Sequence, residues 1–336
     1  MIRFIVRRCL LAVPALFGLL ALTFFLVQLA PGDPAAEIAG ESATPEQIQQ
    51  IRRDYGFDRP AIVQFGYYLE RVARGDLGQS YFSGRPVAED IAERLPATLE
   101  LVTIILTLST IFGIGLGVIA GARHNKPVDY AVRGFTVAGL ALANFWTAIM
   151  FQLLFSMELD WLPLRGRFDP DGAPPETITG LYLIDSLLTL RLDAFLVALS
   201  YLVLPVLAQM KGPVATIARF TRSGVLETLQ KDFVTYEYAV GYPRRVVIWT
   251  YVLRNSVVAA VTQIGLLFGN LLGGVVVIEA IFDFPGIGLY LVQSILNADY
   301  NALLAVTLVI GAIYAVVNIV VDVVHALIDP RVAEQL

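Results

Sequence analysis

At 336 residues, 57% of them hydrophobic and only 16% charged, the chain carries too little charge for a water-dissolved domain, where about a quarter of residues are ionised. Its 24 Lys plus Arg against 29 Asp plus Glu give a formal net charge of −5, which excludes a basic footprint for nucleic acid. A mean hydropathy of +0.68 points instead to lipid as the main solvent.

About 20 mostly apolar residues span the hydrocarbon core of a bilayer as a helix, because there the backbone must satisfy its own polar groups. Six stretches qualify: residues 9–30, 98–121, 134–157, 194–210, 257–281 and 302–324. Arg3, Arg7 and Arg8 precede the first as in a secretory signal, but its apolar run exceeds a signal's core of about 7–15 residues. It is expected to be retained as a helix, with Cys9, the only cysteine, packed within it and no intrachain disulfide.

Residues 31–96 are too long for a turn. Thr44, Pro45 and Gln47 supply an N-cap, a first-position proline and a capping-box partner. Ile48, Ile51 and Tyr55 then share a face, and Gly56 can stop the helix. A second helix over 60–74 places Ile62, Phe65, Leu69 and Val72 at helical spacing before Gly75. Both are expected to cap the outer mouth.

In the second span Gly113, Gly117 and Gly121 recur every four residues, as do Gly265, Gly269 and Gly273 in the fifth. Such spacing lets helix backbones approach closely in lipid, so these are expected packing positions. The fourth span is the shortest and holds Pro205, which predicts a kink or a helix longer than its apolar part. Residues 158–193, with Gly and Pro through 168–175 and seven acidic side chains, read as an irregular surface loop. Residues 211–256 form one long polar segment rich in helix formers, an expected docking segment.

With the N-terminus inside, 14 of the 24 Lys plus Arg fall on the shorter inner segments, and the outer face is acidic. That bias orients the chain with residues 211–256 inside.

Patterns that carry chemistry are sparse. The G-x-x-x-x-G-K-S/T phosphate cradle and the G-x-S-x-G elbow are absent, and neither His124 nor His325 has a Cys or carboxylate array at metal spacing. No catalytic or metal-ligating residue is assigned. Glu279 and Asp322, with Glu100 at a helix end, are the ionisable groups in or at the spans, each near a boundary where water can reach it. The neutral polar residues Gln28, Asn144, Gln152, Gln209, Gln263, Asn270 and Asn318 could line a wet path or join helices by hydrogen bonds. Gln152, Gln263, Asn270 and Asn318 are the path candidates.

A set of short motifs stands in order along the chain. They are R-R-C-L (7–10), A-P-G-D-P (30–34), Y-G-F-D-R-P (55–60), R-G-D-L-G-Q-S (74–80) and R-L-P-A-T-L-E (94–100). T-R-S-G-V-L-E-T-L-Q-K-D-F (221–233), L-R-N-S (253–256), E-A-I-F-D-F-P-G-I-G-L (279–289), N-A-D-Y (297–300) and D-P-R (329–331) follow. On these the chain resembles, over essentially its whole length, the binding-protein-dependent ABC importer permeases of the dipeptide, oligopeptide and nickel group.

The resemblance implies an all-α integral membrane protein of six transmembrane helices with the type I ABC importer permease fold. It implies a cytoplasmic N-terminus and first helix over 1–30, a small helical extracytoplasmic segment over 31–97, a five-helix permease core over 98–329 with a coupling loop at 211–256, and a cytoplasmic tail at 330–336. The bacterial cytoplasmic (inner) membrane is the implied location, with both termini inside. A second homologous permease subunit in a heterodimer, two ABC ATP-binding subunits and an extracytoplasmic substrate-binding protein are the implied partners. ATP and Mg would be bound by the ATPase partners, with no cofactor in this chain.

In such permeases a short coupling helix seats in a groove of the ATP-binding subunit. By resemblance it is Asp232, Phe233, Tyr236, Glu237, Ala239, Val240, Gly241 and Tyr242, with Gly241 matching the motif's glycine and Ala239 a preceding alanine. Phe233, Tyr236 and Val240 fall at i, i+3 and i+7, an apolar face suited to a groove. The sequence departs from the family in Glu237, Tyr238 and Val240, where small or basic residues are usual. Peptides are the implied cargo, with nickel chelates, glutathione, opines or oligosaccharides as alternatives, and an ion-coupled secondary carrier as the competing class.

Overall fold

The computed structural model describes residues 2–29, 34–39, 43–54 and 56–328. The motif at 30–34 is therefore described only at Pro34, and Tyr55, the D-P-R motif and the tail at 330–336 lie outside the described residues.

The described residues form helices and one isolated bridge, between Gln79 and Pro86. In order the helices are α1 (Ile2–Leu29), α2 (Pro34–Ala39), α3 (Pro45–Asp54), α4 (Ala61–Ala73), α5 (Val87–Ala122), α6 (Pro127–Ala141), α7 (Asn144–Phe151) and α8 (Tyr182–Leu188). Then come α9 (Leu192–Thr228), α10 (Asp232–Ala239), α11 (Arg244–Val246), α12 (Leu253–Phe282), α13 (Ile287–Leu296) and α14 (Tyr300–Ile328). π-helical turns extend α7 over Gln152–Glu158 and join α11 to α12 over Val247–Val252.

Among the described residues five helices are long and apolar enough to cross a membrane: Val6–Leu29, Val87–Ala122, Leu192–Thr228, Gln263–Phe282 and Tyr300–Val323. The third span is not the continuous helix expected over 134–157, because α6 and the α7 segment meet at an angle of 99°. Leu142 and Ala143 both take extended backbone at the break (ψ 124° and 139°), which ends the helical ladder there. The fourth span also outruns its apolar stretch: α9 has 37 residues and passes through Pro205 and Pro213 without ending.

The chain divides into two compact units, one of residues 1–98 with 285–319, the other of 99–284 with 320–336. In the first unit the capping box forms as expected: Thr44 N donates to Gln47 Oε1 at 2.8 Å and Gln47 N donates to Thr44 Oγ1 at 3.4 Å. Helix α4 packs on α1 through Phe65, Tyr68, Leu20 and Phe24, with Leu304 of α14. Ile62, expected on that face, is 77% exposed, and Tyr68 takes its place. Burial holds the Tyr68 phenol up at a pKa of about 12.

Two of the short motifs meet in this unit. Ser80 Oγ donates to Asp299, Asn301 Nδ2 donates to the Gln79 carbonyl at 3.0 Å, and Asp299 Oδ1 accepts from Ala302 N at 3.1 Å at the start of α14. Gly78 makes the approach possible, since its φ of +82° is glycine's region and a Cβ there would fall 3.0 Å from Asn301 Nδ2.

In the second unit α9 is the central element, with α12, α6, α7 and α8 packed along it. The segment expected as an irregular loop at 158–193 has no regular element over 159–181, carries the short α8 after it, and is pinned in place. Glu100 accepts from Arg167 Nη2 at 2.6 Å and from Leu183 N at 2.8 Å, and both Glu100 and Arg167 are buried. The Arg167 guanidinium also lies 3.7 Å from the Tyr182 ring centroid. Asp185, fully buried, accepts from Thr179 Oγ1 (2.7 Å) and from the backbone N–H of Thr179 (2.9 Å), Gly180 (2.9 Å) and Ile178 (3.2 Å).

Candidate coupling surface

Residues 211–256 begin as a continuation of α9, turn at Leu229–Lys231, form α10, and return through α11 and a π-helical turn to α12. Lys231 is extended at the N-cap of α10, and Asp232 in the first turn complements the positive end of the helix.

The other end of α10 explains its glycine. Tyr242 N donates to the Glu237 carbonyl at 3.2 Å and Gly241 N to the Tyr238 carbonyl at 3.1 Å, the paired bonds of a Schellman stop. That stop needs a left-handed residue, and Gly241 has φ +98°.

One side chain anchors α10. Val234 is 2% exposed, in a cluster with Val118 of α5, Val225 of α9, and Val247, Ile248 and Val252. Burying it contributes about 1.5–3 kcal/mol. Phe233 packs partly against the same cluster, so it turns toward the protein while Tyr236 and Val240 stay open. Tyr236 is 66% exposed and Val240 57%, and Ala239, Gly241, Tyr238 and Tyr242 are exposed beside them, with Glu237 half-buried. Tyr242 and Tyr251 rings lie 5.6 Å apart, and their hydrogen bond holds the Tyr251 phenol above its ordinary pKa. Trp249 extends the exposed aromatic surface.

Beneath this surface the helices are locked. Methyl groups at Gly113, Gly117 and Gly121 would fall 2.7, 2.6 and 2.6 Å from Ile217 Cβ, Thr221 Cβ and Val225 Cγ1, so the glycines set α5 against α9. Arg222 grips the fully buried Asp129 in a two-pronged ion pair, Nε–Oδ1 at 2.6 Å and Nη2–Oδ2 at 2.8 Å. Asn125 N also donates to Asp129 at 3.0 Å, and Arg244 Nη2 donates to the Ala122 carbonyl at 2.7 Å. Sequence reasoning passed over Asp129; an acid in the first turn of a helix on a basic segment was the available signal.

The fifth-span glycines behave differently from one another. Gly265 lies directly against Val321, a methyl added at Gly273 would meet nothing within 4 Å, and Gly274, not singled out by spacing, lies against the Gln209 amide. Gly269 is half-buried.

Of the path candidates, Gln152 uses its amide to join chain segments, donating to the carbonyls of Leu164 (2.9 Å) and Ile281 (3.1 Å). Gln263 is half-buried and Asn270 exposed, both on α12, while Asn318 is half-buried in the first unit. Asn144 and Gln209 bond to each other at 2.7 Å, and Gln28 bonds to Gln64 at 2.9 Å. Glu279 is fully buried and Asp322 half-buried.

Residues 113–334 match the family described as binding-protein-dependent transport system inner membrane component, and residues 1–102 match that of its membrane-component N-terminal region. The chain is similar to the dipeptide transport system permease protein DppB of Alkalihalophilus pseudofirmus, 37% identical over 99% of each chain. It is 37% identical to the probable D,D-dipeptide transport system permease protein DdpB of Escherichia coli, over 97% of this chain and 96% of that one. The di/tripeptide transport system permease protein DppB of Pseudomonas aeruginosa is 36% identical over 100% of both.

Proposed function

The chain belongs to the binding-protein-dependent transport system inner membrane component family, and on that premise we propose that it moves di- or oligopeptides from an extracytoplasmic binding protein into the cytoplasm. It is a multi-pass ABC importer permease of the inner membrane, working with ATP-hydrolysing and substrate-binding partners. The observation that carries the peptide cargo is end-to-end similarity to permeases named for dipeptides and tripeptides.

In this reading both termini face the cytoplasm, a second homologous permease completes the pathway, and ATP with Mg is held by the two ATPase subunits. The exposed face of α10, centred on Tyr236 and Val240, seats in the ATPase groove.

The mechanism follows from rigidity. When ATP closes the ATPase dimer, each coupling helix is displaced. Val234 passes that displacement to Val118 and Val225, and the glycine contacts keep α5 moving with α9. Packed elements of this kind move as bodies, which suits alternation between outward- and inward-facing states.

Reconstitution into liposomes tests this. The permease purified with its partners is expected to import peptide only with ATP and binding protein. Import by this chain alone on an ion gradient, or import of nickel chelates with no peptide uptake, would overturn it.

A further inference from the structure

We propose that Lys211 binds the C-terminal carboxylate of the transported peptide, an assignment that rests on the peptide-importer reading above. Lys211 stands near the middle of α9, whose preceding stretch is apolar. Its ammonium donates to the Leu142 carbonyl and, at 2.6 Å, to Asn144 Oδ1. Both acceptors are neutral, and among the described residues no carboxylate pairs with it. Lys211 is the first charged side chain after the apolar run of α9, inside the long apolar helix Leu192–Thr228, and an ammonium at that edge without an acidic partner is available to a ligand. Two of its three N–H donors are used and the third remains for a ligand.

The surroundings hold that charge in place without cancelling it. Asn144 Nδ2 donates to Gln209 Oε1 at 2.7 Å, which fixes the Asn144 oxygen toward the ammonium. The Gln209 amide in turn lies against Gly274, where a side chain would collide with it. A methyl at Gly139 would fall 3.0 Å from the Lys211 carbonyl, so α6 also meets α9 closely here.

The ammonium sits at the break between α6 and α7. Leu142 and Ala143 are extended there, and Phe145 and Trp146 stand 53% and 48% exposed beside Asn144. A cation anchored on Asn144, with exposed aromatic residues at the next two positions of the chain, suits a peptide end, a carboxylate attached to an apolar side chain. Capping the open Leu142 carbonyl alone would need a donor but not a charge, and that difference makes the inference testable.

The probes are trialanine and its C-terminal amide, taken up by the complete ATP-driven complex in proteoliposomes. Replacing Lys211→Gln or Lys211→Met is expected to lower the acid-to-amide uptake ratio about tenfold, the loss of one close charge contact, while Lys211→Arg retains it. Because every variant meets the same binding protein, a change in the ratio reports the permease. A second measurement uses wild-type permease with its ATPase subunits and no binding protein. Trialanine, but not its amide, is expected to protect Lys211 from an amine-reactive reagent read by mass spectrometry. Equal slowing of acid and amide in the variants, or equal protection by both peptides, would overturn the inference and leave Lys211 as a helix cap. If the wild-type complex imports neither peptide, the importer reading fails, and the protection assay still decides whether Lys211 recognises a carboxylate.

Discussion

Gly241 is the position where the proposed coupling surface can be loosened with the least disturbance elsewhere. A Cβ there meets nothing within 4 Å, so a substitution adds no clash; its cost is the backbone conformation, φ +98°. Forcing an L side chain into the left-handed region costs about 1–2 kcal/mol, and more for a β-branched residue. Charged against the Schellman stop, about 1.4 kcal/mol makes the ordered end of α10 about tenfold rarer relative to its frayed form. That end carries Val240 and Tyr242, so loss of coupling follows while Val234 keeps the rest of α10 docked. Gly241→Asn, Gly241→Ala and Gly241→Val are expected to reduce ATP-driven uptake in that order, by up to about tenfold for Ala and further for Val. Membrane insertion and the melting temperature in detergent stay near wild type. Uptake and ATPase stimulation at wild-type level in the Val variant would refute the reasoning.

Gly117→Val drives a side chain into Thr221 and is expected to destabilise the second unit by about 1–3 kcal/mol, read as a lower melting temperature, whereas Gly115→Ala, with nothing within 4 Å, leaves it unchanged. Asp129→Asn strands the largely buried Arg222 and is expected to cost about 3–5 kcal/mol, with much of the loss recovered in the Asp129→Asn, Arg222→Met double variant; equal melting temperatures for the single and double variants would contradict it. Burial pushes the Asp185 carboxyl up, but hydrogen bonds from Thr179, Ile178 and Gly180 outweigh it and hold its pKa below the ordinary value. A carboxyl lowered on folding stabilises above its unfolded pKa of about 3.9 and loses that contribution as pH falls through its folded value. Proteolysis within residues 158–193 is therefore expected to rise below about pH 4 in wild type, and an Asp185→Asn variant should be cleaved readily at neutral pH too.

Features recorded by local pattern were legible from the residues alone. The capping box at Thr44, the apolar runs and the Gly113, Gly117, Gly121 ladder each depend on neighbours within a turn or two of helix. What escaped depends on partners far apart in the chain. Hydropathy ends the fourth span near Lys211, yet α9 continues to Thr228 because the glycine ladder gives its second half, Ile217 to Val225, a surface to pack on. The bend in the third span needs Lys211 to satisfy a carbonyl that the broken ladder abandons, 69 residues away. Residues 158–193 look irregular by composition, and only the reach of Arg167 to Glu100, 67 positions back, orders them. Phe233 shows the limit of periodicity within a helix: it shares a face with Tyr236 and Val240, but Val234 decides which flank of α10 turns inward.

The departures from the family pattern at Glu237, Tyr238 and Val240 acquire a physical meaning on this scaffold. None of the three takes part in the cluster that anchors α10, so they were free to change without loss of the fold. Tyr238 and Val240 are 40% and 57% exposed, on the part of the helix that a partner would meet. Replacing small residues with these adds apolar area and bulk, which a groove shaped for the usual motif would reject by overlap rather than by lost attraction. The ATPase that serves this permease should therefore carry a wider and more apolar groove. Exchanging residues 237–240 for A-R-A-A in a variant should weaken binding to the native ATPase while leaving α10 folded, because Val234 and Gly241 are retained. Unchanged ATPase affinity in that variant would show that the contact lies elsewhere, on Trp249 or the Tyr242 and Tyr251 pair.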